Sequence, residues 1–205
     1  TDTWTRKADM PTARLGLGTS VVDEKVYAIG GMTSGADFWS GVHPTVEVYD
    51  PQTDTWSTKA DMPTARIWFS TSVVDGKIYA IGGVLVTRET ISTVEVYDPA
   101  TDTWTTKAPM PTGRAAHAAA VVDGIIYVIG GATTAADPGS FPTVEAYDPT
   151  TDTWTQKTDM PALTAYLSAS AVGGKVYAIG GIVNPADPHL AGVGTVQVYD
   201  PAKDN

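Results

Sequence analysis

Val46-Glu47-Val48-Tyr49-Asp50-Pro51-Gln52-Thr53-Asp54-Thr55-Trp56 is the stretch on which the reading of the fold turns. Residues 94–104 and 144–154 repeat it almost unchanged, and Thr1-Asp2-Thr3-Trp4 repeats its last four residues. Thr-Asp-Thr-Trp therefore recurs at 1–4, 53–56, 101–104 and 151–154, at spacings of 52, 48 and 50 residues. Within each copy an apolar and aromatic run is halted by Asp-Pro, where proline sets φ for a turn, and a second short run follows. Two antiparallel strands joined by a tight turn are the expected local structure.

Upstream of each copy the same beat continues. Glycine pairs stand at Gly30-Gly31, Gly82-Gly83, Gly130-Gly131 and Gly180-Gly181, each after a Val-Tyr-Ala-Ile run or a close variant. In the first unit this run is a strand over Lys25–Ile29, and residues 15–22 before it form another. The two-residue link between them is Asp75-Gly76, Asp123-Gly124 or Gly173-Gly174 in later units, pairs suited to the positive φ angles of a type I′ hairpin. Asp23-Glu24 fits that turn less well. Each unit thus reads as a meander of four strands, a, b, c and d. Strands a and b are apolar on both faces, so one sheet cannot shield itself and the units must pack face to face in a ring. A period near 50 residues with four strands per unit points to an all-β propeller.

The glycine pair, followed by Tyr49, Tyr97 and Tyr147, with Trp56, Trp104 and Trp154 each seven residues further on, resembles the Kelch-repeat family over all 205 residues. The resemblance implies a Kelch-type β-propeller, with four blades of four antiparallel strands. The chain is one domain with repeat units of about 6–56, 57–104, 105–154 and 155–205. The signature Gly, Tyr and Trp residues are expected to be structural, the glycines where backbones crowd or φ is positive and the rings wedged between blades. Lys203, Asp204 and Asn205 align with Thr53, Asp54 and Thr55, so the N-terminal d strand, residues 1–5, is expected to complete the blade formed by the last a, b and c strands. Two chains forming one eight-bladed ring, a closed four-bladed monomer, and a section of a longer propeller remain alternatives. The first is favoured because packed blades resist the wide angle that four in a ring demand.

Composition bounds the function. Apolar residues are 42% and charged residues 18%, with 20 Gly and 14 Pro, a mix suited to a turn-rich all-β chain. A net charge of −10, with 13 basic residues scattered singly, offers no patch for nucleic acid or an anionic membrane. No cysteine is present, so disulfides, thiolate catalysis and Cys-ligated metal are excluded. The chain opens directly into the repeat without a leader, and no run approaches the roughly 20 apolar residues that span a bilayer. A mature, soluble protein is expected, or a piece of something longer.

Sequence variation between units is concentrated in the b-to-c loops at 32–44, 84–92, 132–142 and 182–194, where recognition on a rigid scaffold is usually placed. They hold Phe38, Trp39 and His43, then Arg88, then Phe141, then His189. Arg14, Arg66 and Arg114 follow Met-Pro-Thr at the start of strand a, with Thr164 at the equivalent place in the fourth unit. In resembling domains such arginines sometimes grip acidic ligands, and three at one opening would favour a carboxylate or phosphate; the alternative, that each ties down its own d-to-a loop or pairs with a nearby acidic side chain, carries more weight. Trp68, His117 and Tyr166 lie at the start of strand a, differ between otherwise similar units, and complete the set of ligand-binding candidates. No catalytic residue, metal site or cofactor is expected, since the three histidines fall in different units with no ligand at metal spacing. The expected function is a non-catalytic recognition module for a protein segment or a carbohydrate. The alternative is a sugar-converting enzyme or its substrate-binding domain, with an arginine and an acid/base side chain meeting in the channel.

Overall fold

The computed structural model describes residues 2–33, 41–133, 139–183 and 192–204. Blade 1 comprises β1 (Gly18–Val22), β2 (Lys25–Ile29), β3 (Val46–Asp50) and β4 (Thr55–Lys59). Blade 2 comprises β5 (Ser70–Val74), β6 (Lys77–Ile81), β7 (Val94–Asp98) and β8 (Thr103–Lys107), and blade 3 comprises β9 (Ala118–Val122), β10 (Ile125–Ile129), β11 (Val144–Asp148) and β12 (Thr153–Lys157). Blade 4 contains β13 (Ser168–Val172), β14 (Lys175–Ile179) and β15 (Val196–Tyr199), then a 3-10 turn over Pro201–Lys203. Every sheet is an antiparallel meander in chain order. The a strands β1, β5, β9 and β13 pack in succession around one axis, so the expected four-bladed all-β propeller is present. No helix among the described residues is long and apolar enough to cross a membrane.

The local forecasts hold with two corrections. Strand a does not run unbroken over 15–22: Leu15 bridges Met32, Gly16 turns to φ 64°, and the ladder resumes at Gly18. The a-to-b hairpin keeps one geometry in all blades, and in blade 1 it forces Asp23 and Glu24 to φ 48° and 60°. The second correction concerns closure. Among the described residues blade 4 has three strands, and residues 2–10 pair with no strand; Trp4 is fully exposed. The reason lies in where that segment is tied. The Ala8 N–H donates to Asp54 Oδ1 and its carbonyl accepts from Trp56 Nε1, both at 2.9 Å on blade 1. Ala60 makes the same pair of bonds with Asp102 and Trp104 of blade 2, and Ala108 with Asp152 and Trp154 of blade 3. The N-terminal segment therefore reaches blade 1 as the linkers reach blades 2 and 3, and leaves the edge of β15 unpaired.

Three apolar layers lie between successive blades, and each is built from equivalent positions. At the first junction Val22, Tyr27, Ile29, Val46 and Val48 of blade 1 meet Met62, Ile78, Ala80 and Tyr97 of the next unit. The other two junctions repeat this with Val74, Tyr79, Ile81 and Val94 against Met110, Ile126 and Tyr147, and with Val122, Tyr127, Ile129 and Val144 against Leu167, Val176 and Ala178. At each of the three junctions the b-strand tyrosine meets the c-strand tyrosine of the following blade: Tyr27 with Tyr97 at 5.9 Å between ring centroids, Tyr79 with Tyr147 at 6.0 Å, and Tyr127 with Tyr199 at 5.5 Å. Within a blade, Tyr and Trp of the deciding motif stack at 5.0 to 5.2 Å. The glycine pairs work as expected: Gly130 has φ 64°, and a Cβ there would stand 2.5 Å from the Thr164 carbonyl of the next blade.

Candidate functional site

The d-to-a linkers and the b-to-c loops emerge at one end of the sheets, and short bridges such as Leu15 to Met32 and Met32 to Val42 knit them together. At this end each blade gives the same position to the axis: Gly16, Trp68, Ala116 and Tyr166, all with positive φ between 52° and 64°. A chain of backbone bonds joins them. The Trp68 N–H donates to Gly16 O at 3.0 Å, Ala116 to Trp68 O at 2.8 Å, and Tyr166 to Ala116 O at 2.7 Å. Left-handed backbone suits glycine and costs other residues about 1 kcal/mol or more, so Trp and Tyr here are held by this bonding against their own preference.

With the next residue of each unit, these positions line a cleft of about 250 Å³: Gly16, Leu17, Trp68, Phe69, Ala116, His117, Tyr166 and Leu167. The Trp68 and Tyr166 rings meet edge to face at 6.1 Å, and Tyr166 remains half exposed. Two candidates are thus brought together from blades 2 and 4. His117 lies beside them but is buried, in the position held elsewhere by Leu17, Phe69 and Leu167. Its Nε2 lies 2.9 Å from Ser70 Oγ. Burial, assisted by the nearby positive charge of Arg114, pushes its pKa down to about 3, so the ring is neutral at ordinary pH.

The arginines do not belong to this cleft: the alternative of a nearby acidic partner holds, and the anion-gripping expectation is corrected. All three side chains are buried at 0% exposure and face glutamates of their own units: Arg14 with Glu47 at 2.8 Å, Arg66 with Glu95 at 2.7 Å, Arg114 with Glu145 at 2.5 Å. Backbone carbonyls take further donors, among them Thr45 O, Thr93 O and Thr143 O, while Thr12, Thr64 and Thr112 hydroxyls donate to the second carboxylate oxygens. Each arginine lashes a linker to strand c. Burial lowers the Arg66 pKa to about 10, with Glu95 opposing the shift, which leaves the guanidinium charged at neutral pH. An arginine meeting an acid/base group in the channel, the geometry required for the sugar-converting alternative, is therefore not formed.

Blade 4 replaces all three partners at once, with Ala162, Thr164 and Gln197 in place of Thr, Arg and Glu. A recess of about 190 Å³ opens there, lined by Met160, Ala178 and Gln197 among others. Those three occupy the places of Met10, Ala28 and Glu47, which hold the Arg14 guanidinium in blade 1. The recess is the space a missing arginine leaves.

The remaining candidates separate. His43 and Phe141 sit at loop necks, donating their N–H to Gly31 O and Gly131 O as Ile91 and Val193 do in their units. His43 Nε2 also lies 3.1 Å from Thr33 Oγ1, which closes its loop. Arg88 is exposed at a loop tip with φ 68°. Phe38, Trp39 and His189 lie outside the described residues. The sequence reading missed the glutamates that hold the arginines, and also Asp54, Asp102, Asp152 and Asp204. Each of these accepts the motif tyrosine hydroxyl at 2.6 or 2.7 Å and a linker N–H at 2.9 Å. Their signal was present as a constant Tyr-to-Asp spacing of five residues. Among the described residues no group of His, Asp and Glu is placed to hold a metal.

Comparison with known proteins agrees with this architecture. The KLHDC2/KLHL20/DRC7 Kelch-repeats domain matches residues 1–131, and the Kelch motif matches 113–161 and 163–205. Beta-scruin of Limulus polyphemus is 33% identical over 86 residues, covering 42% of this chain and 9% of that protein. Kelch-like ECH-associated protein 1B of Danio rerio is 38% identical over 80 residues, 39% of this chain and 14% of that protein. An influenza virus NS1A-binding protein homolog of Mus musculus is 42% identical over 74 residues, 36% of this chain and 11% of that protein. The matched segments span only a small part of these relatives. With a family model matching well over half its length and a second covering the remainder, the chain belongs to the Kelch-repeat family.

Proposed function

We propose that the chain is a protein-recognition module that takes a segment of a partner polypeptide across the loop-bearing mouth of the propeller. The observation that carries this reading is the Trp68–Tyr166 pair. Four nearly identical blades present Gly, Trp, Ala and Tyr at one position, and the two large rings meet there at 6.1 Å despite a backbone conformation that disfavours both. A half-exposed tyrosine meeting a partly buried tryptophan over a shallow cleft suits an apolar or aromatic anchor side chain, the residue type that dominates protein interfaces. The relatives agree in kind, since one is named for binding a viral protein and another for association with ECH.

The test is panning of a displayed peptide library on the intact protein, followed by Trp68→Ala and Tyr166→Ala variants. Ala116 already holds alanine in the same backbone state, so these substitutions leave the scaffold intact. Retention should fall at least tenfold in each variant, in line with an aromatic hot spot. Retention on a glycan array that depends on the same two residues, with no peptide retained, would replace this reading with a carbohydrate-binding one.

A further inference from the structure

The main chain at the mouth of the propeller is already spent. Leu15, Ile67, Ala115 and Ala165 each exchange both N–H and carbonyl bonds, with Met32, Val84, Ala132 and Ile182 respectively, at 2.9 or 3.0 Å. The residues that follow them, Gly16, Trp68, Ala116 and Tyr166, are tied to one another. A partner segment therefore finds no open strand edge at the mouth, and pairing with it as an added strand is closed. A helix does not fit either: a cleft of about 250 Å³ measures roughly 6 Å on a side, against about 10–12 Å for a helix with its side chains. What the mouth offers is side-chain surface. Apart from Trp4 and the outer faces of blades 1 and 4, the large apolar side chains that stay exposed among the described residues are Leu15, Val86, Leu163, Tyr166 and Val183. All five lie on the d-to-a linkers and b-to-c loops, at this one end of the sheets. Charge adds a sign. Arg66 and Arg114 are buried and matched by Glu95 and Glu145, so a chain of net charge −10 repels an acidic segment.

We infer that the partner segment is a proline-rich stretch in the polyproline II conformation, poor in acidic residues, with a proline ring seated against Trp68 and Tyr166; this rests on the recognition reading above and names its ligand. A polyproline II chain makes no internal hydrogen bonds and keeps its backbone in water, so it asks nothing of a main chain that is already paired. Proline itself brings no N–H to satisfy. The segment is stiff before it docks, so little conformational freedom is lost on a shallow surface that could not repay a large loss. Two aromatic rings meeting at 77° present a corner of flat walls, and aromatic-lined surfaces are where proline-rich segments dock.

Panning a displayed library of random peptides on the intact protein tests this, because the library favours no conformation in advance. Retained sequences should be enriched in proline and depleted in Asp and Glu. Changing their prolines to alanine should weaken retention at least about tenfold, the loss expected of a central anchor. In the Trp68→Ala and Tyr166→Ala proteins the proline and alanine peptides should be retained equally weakly. Peptides that depend on Trp68 and Tyr166 but show no excess of proline overturn this inference and leave the recognition reading standing. Proline-rich peptides whose retention ignores both residues overturn it as well, since they then bind elsewhere on the chain. If no peptide is retained, this inference and the recognition reading fall together.

Discussion

Ile81 and Ile179 occupy one position in one motif, each closing a Tyr-Ala-Ile run before a glycine pair, yet the first is completely buried and the second is 48% exposed. The same contrast separates Val94 from Val196. Gly130 is pressed by the Thr164 carbonyl, while the equivalent Gly180 meets nothing nearer than 3.5 Å. A Kelch unit therefore encodes half of an interface on each side, and its neighbours decide whether that half becomes core. Stability of a blade residue should follow the junction it faces rather than its motif, as expected for a quasi-one-dimensional array.

The largest test of that contrast is Arg66 against Thr164. Arg66→Ala leaves Glu95 buried without its partner, and loss of one member of a buried pair costs about 3–5 kcal/mol; urea unfolding measures it. Thr164→Ala removes a hydroxyl that is buried without a hydrogen bond and should cost less than about 1 kcal/mol. Because blade 4 already works with Thr and Gln, the double variant Arg66→Thr/Glu95→Gln should lose distinctly less than Arg66→Ala. An equal loss would show that the guanidinium matters through its volume and not through its charge. Next comes Ile81→Ala, at about 2–5 kcal/mol for a filled core site. Ile179→Ala, at an exposed site, should cost under about 1 kcal/mol.

Much of this was legible from the repeat itself. Strand order, hairpin turns and the glycine pairs follow from local chemistry that recurs four times, and a misreading in one unit is corrected by the other three. The mouth residues Trp68 and Tyr166 were legible as departures from the repeat. For the arginines the sequence left two readings, a ligand grip or an acidic partner nearby, and the deciding fact was a glutamate 29 to 33 residues away on strand c, which the sequence did not name. That partnership was nevertheless written in the joint change to Ala162, Thr164 and Gln197. The docking of residues 2–10 on blade 1 had no such trace, because the motif at Trp4 is the same whichever edge receives it.

His117 sharpens the comparison between blades 3 and 4, since the equivalent residue in blade 4 is Leu167. The unfolded chain binds a proton at His117 below about pH 6.5, whereas the folded chain resists doing so until about pH 3. Stability carried by the neutral ring is therefore complete above pH 6.5 and declines as pH falls through this window, by up to about 1.4 kcal/mol per pH unit. His117→Leu should remove that slope between pH 6.5 and 5.5, above the range where most carboxylates protonate. Parallel denaturation curves at the two pH values decide the matter. A slope that persists in the variant would assign it to some other group.

The smallest effect belongs to the hairpin tips. Asp23-Glu24 in blade 1 and Gly173-Gly174 in blade 4 adopt the same positive φ angles, 48° and 60° against 58° and 71°. A non-glycine residue there costs about 1–2 kcal/mol in backbone strain, and glycine returns roughly half of that through its greater freedom when unfolded. Glu24 also accepts a 3.2 Å bond from Gln52 at the surface, worth little in water. Glu24→Gly should therefore raise stability by about 0.5 kcal/mol, and Gly174→Glu should lower it by a similar amount, both read as shifts of the urea midpoint at constant slope. Blade 4 carries the better turn while its outward face is open, and blade 1 tolerates the worse turn while its other face is packed against blade 2. If exchanging the two tips left both midpoints unmoved, local turn chemistry would drop out of the account, and burial at the junctions alone would set the stability of each blade.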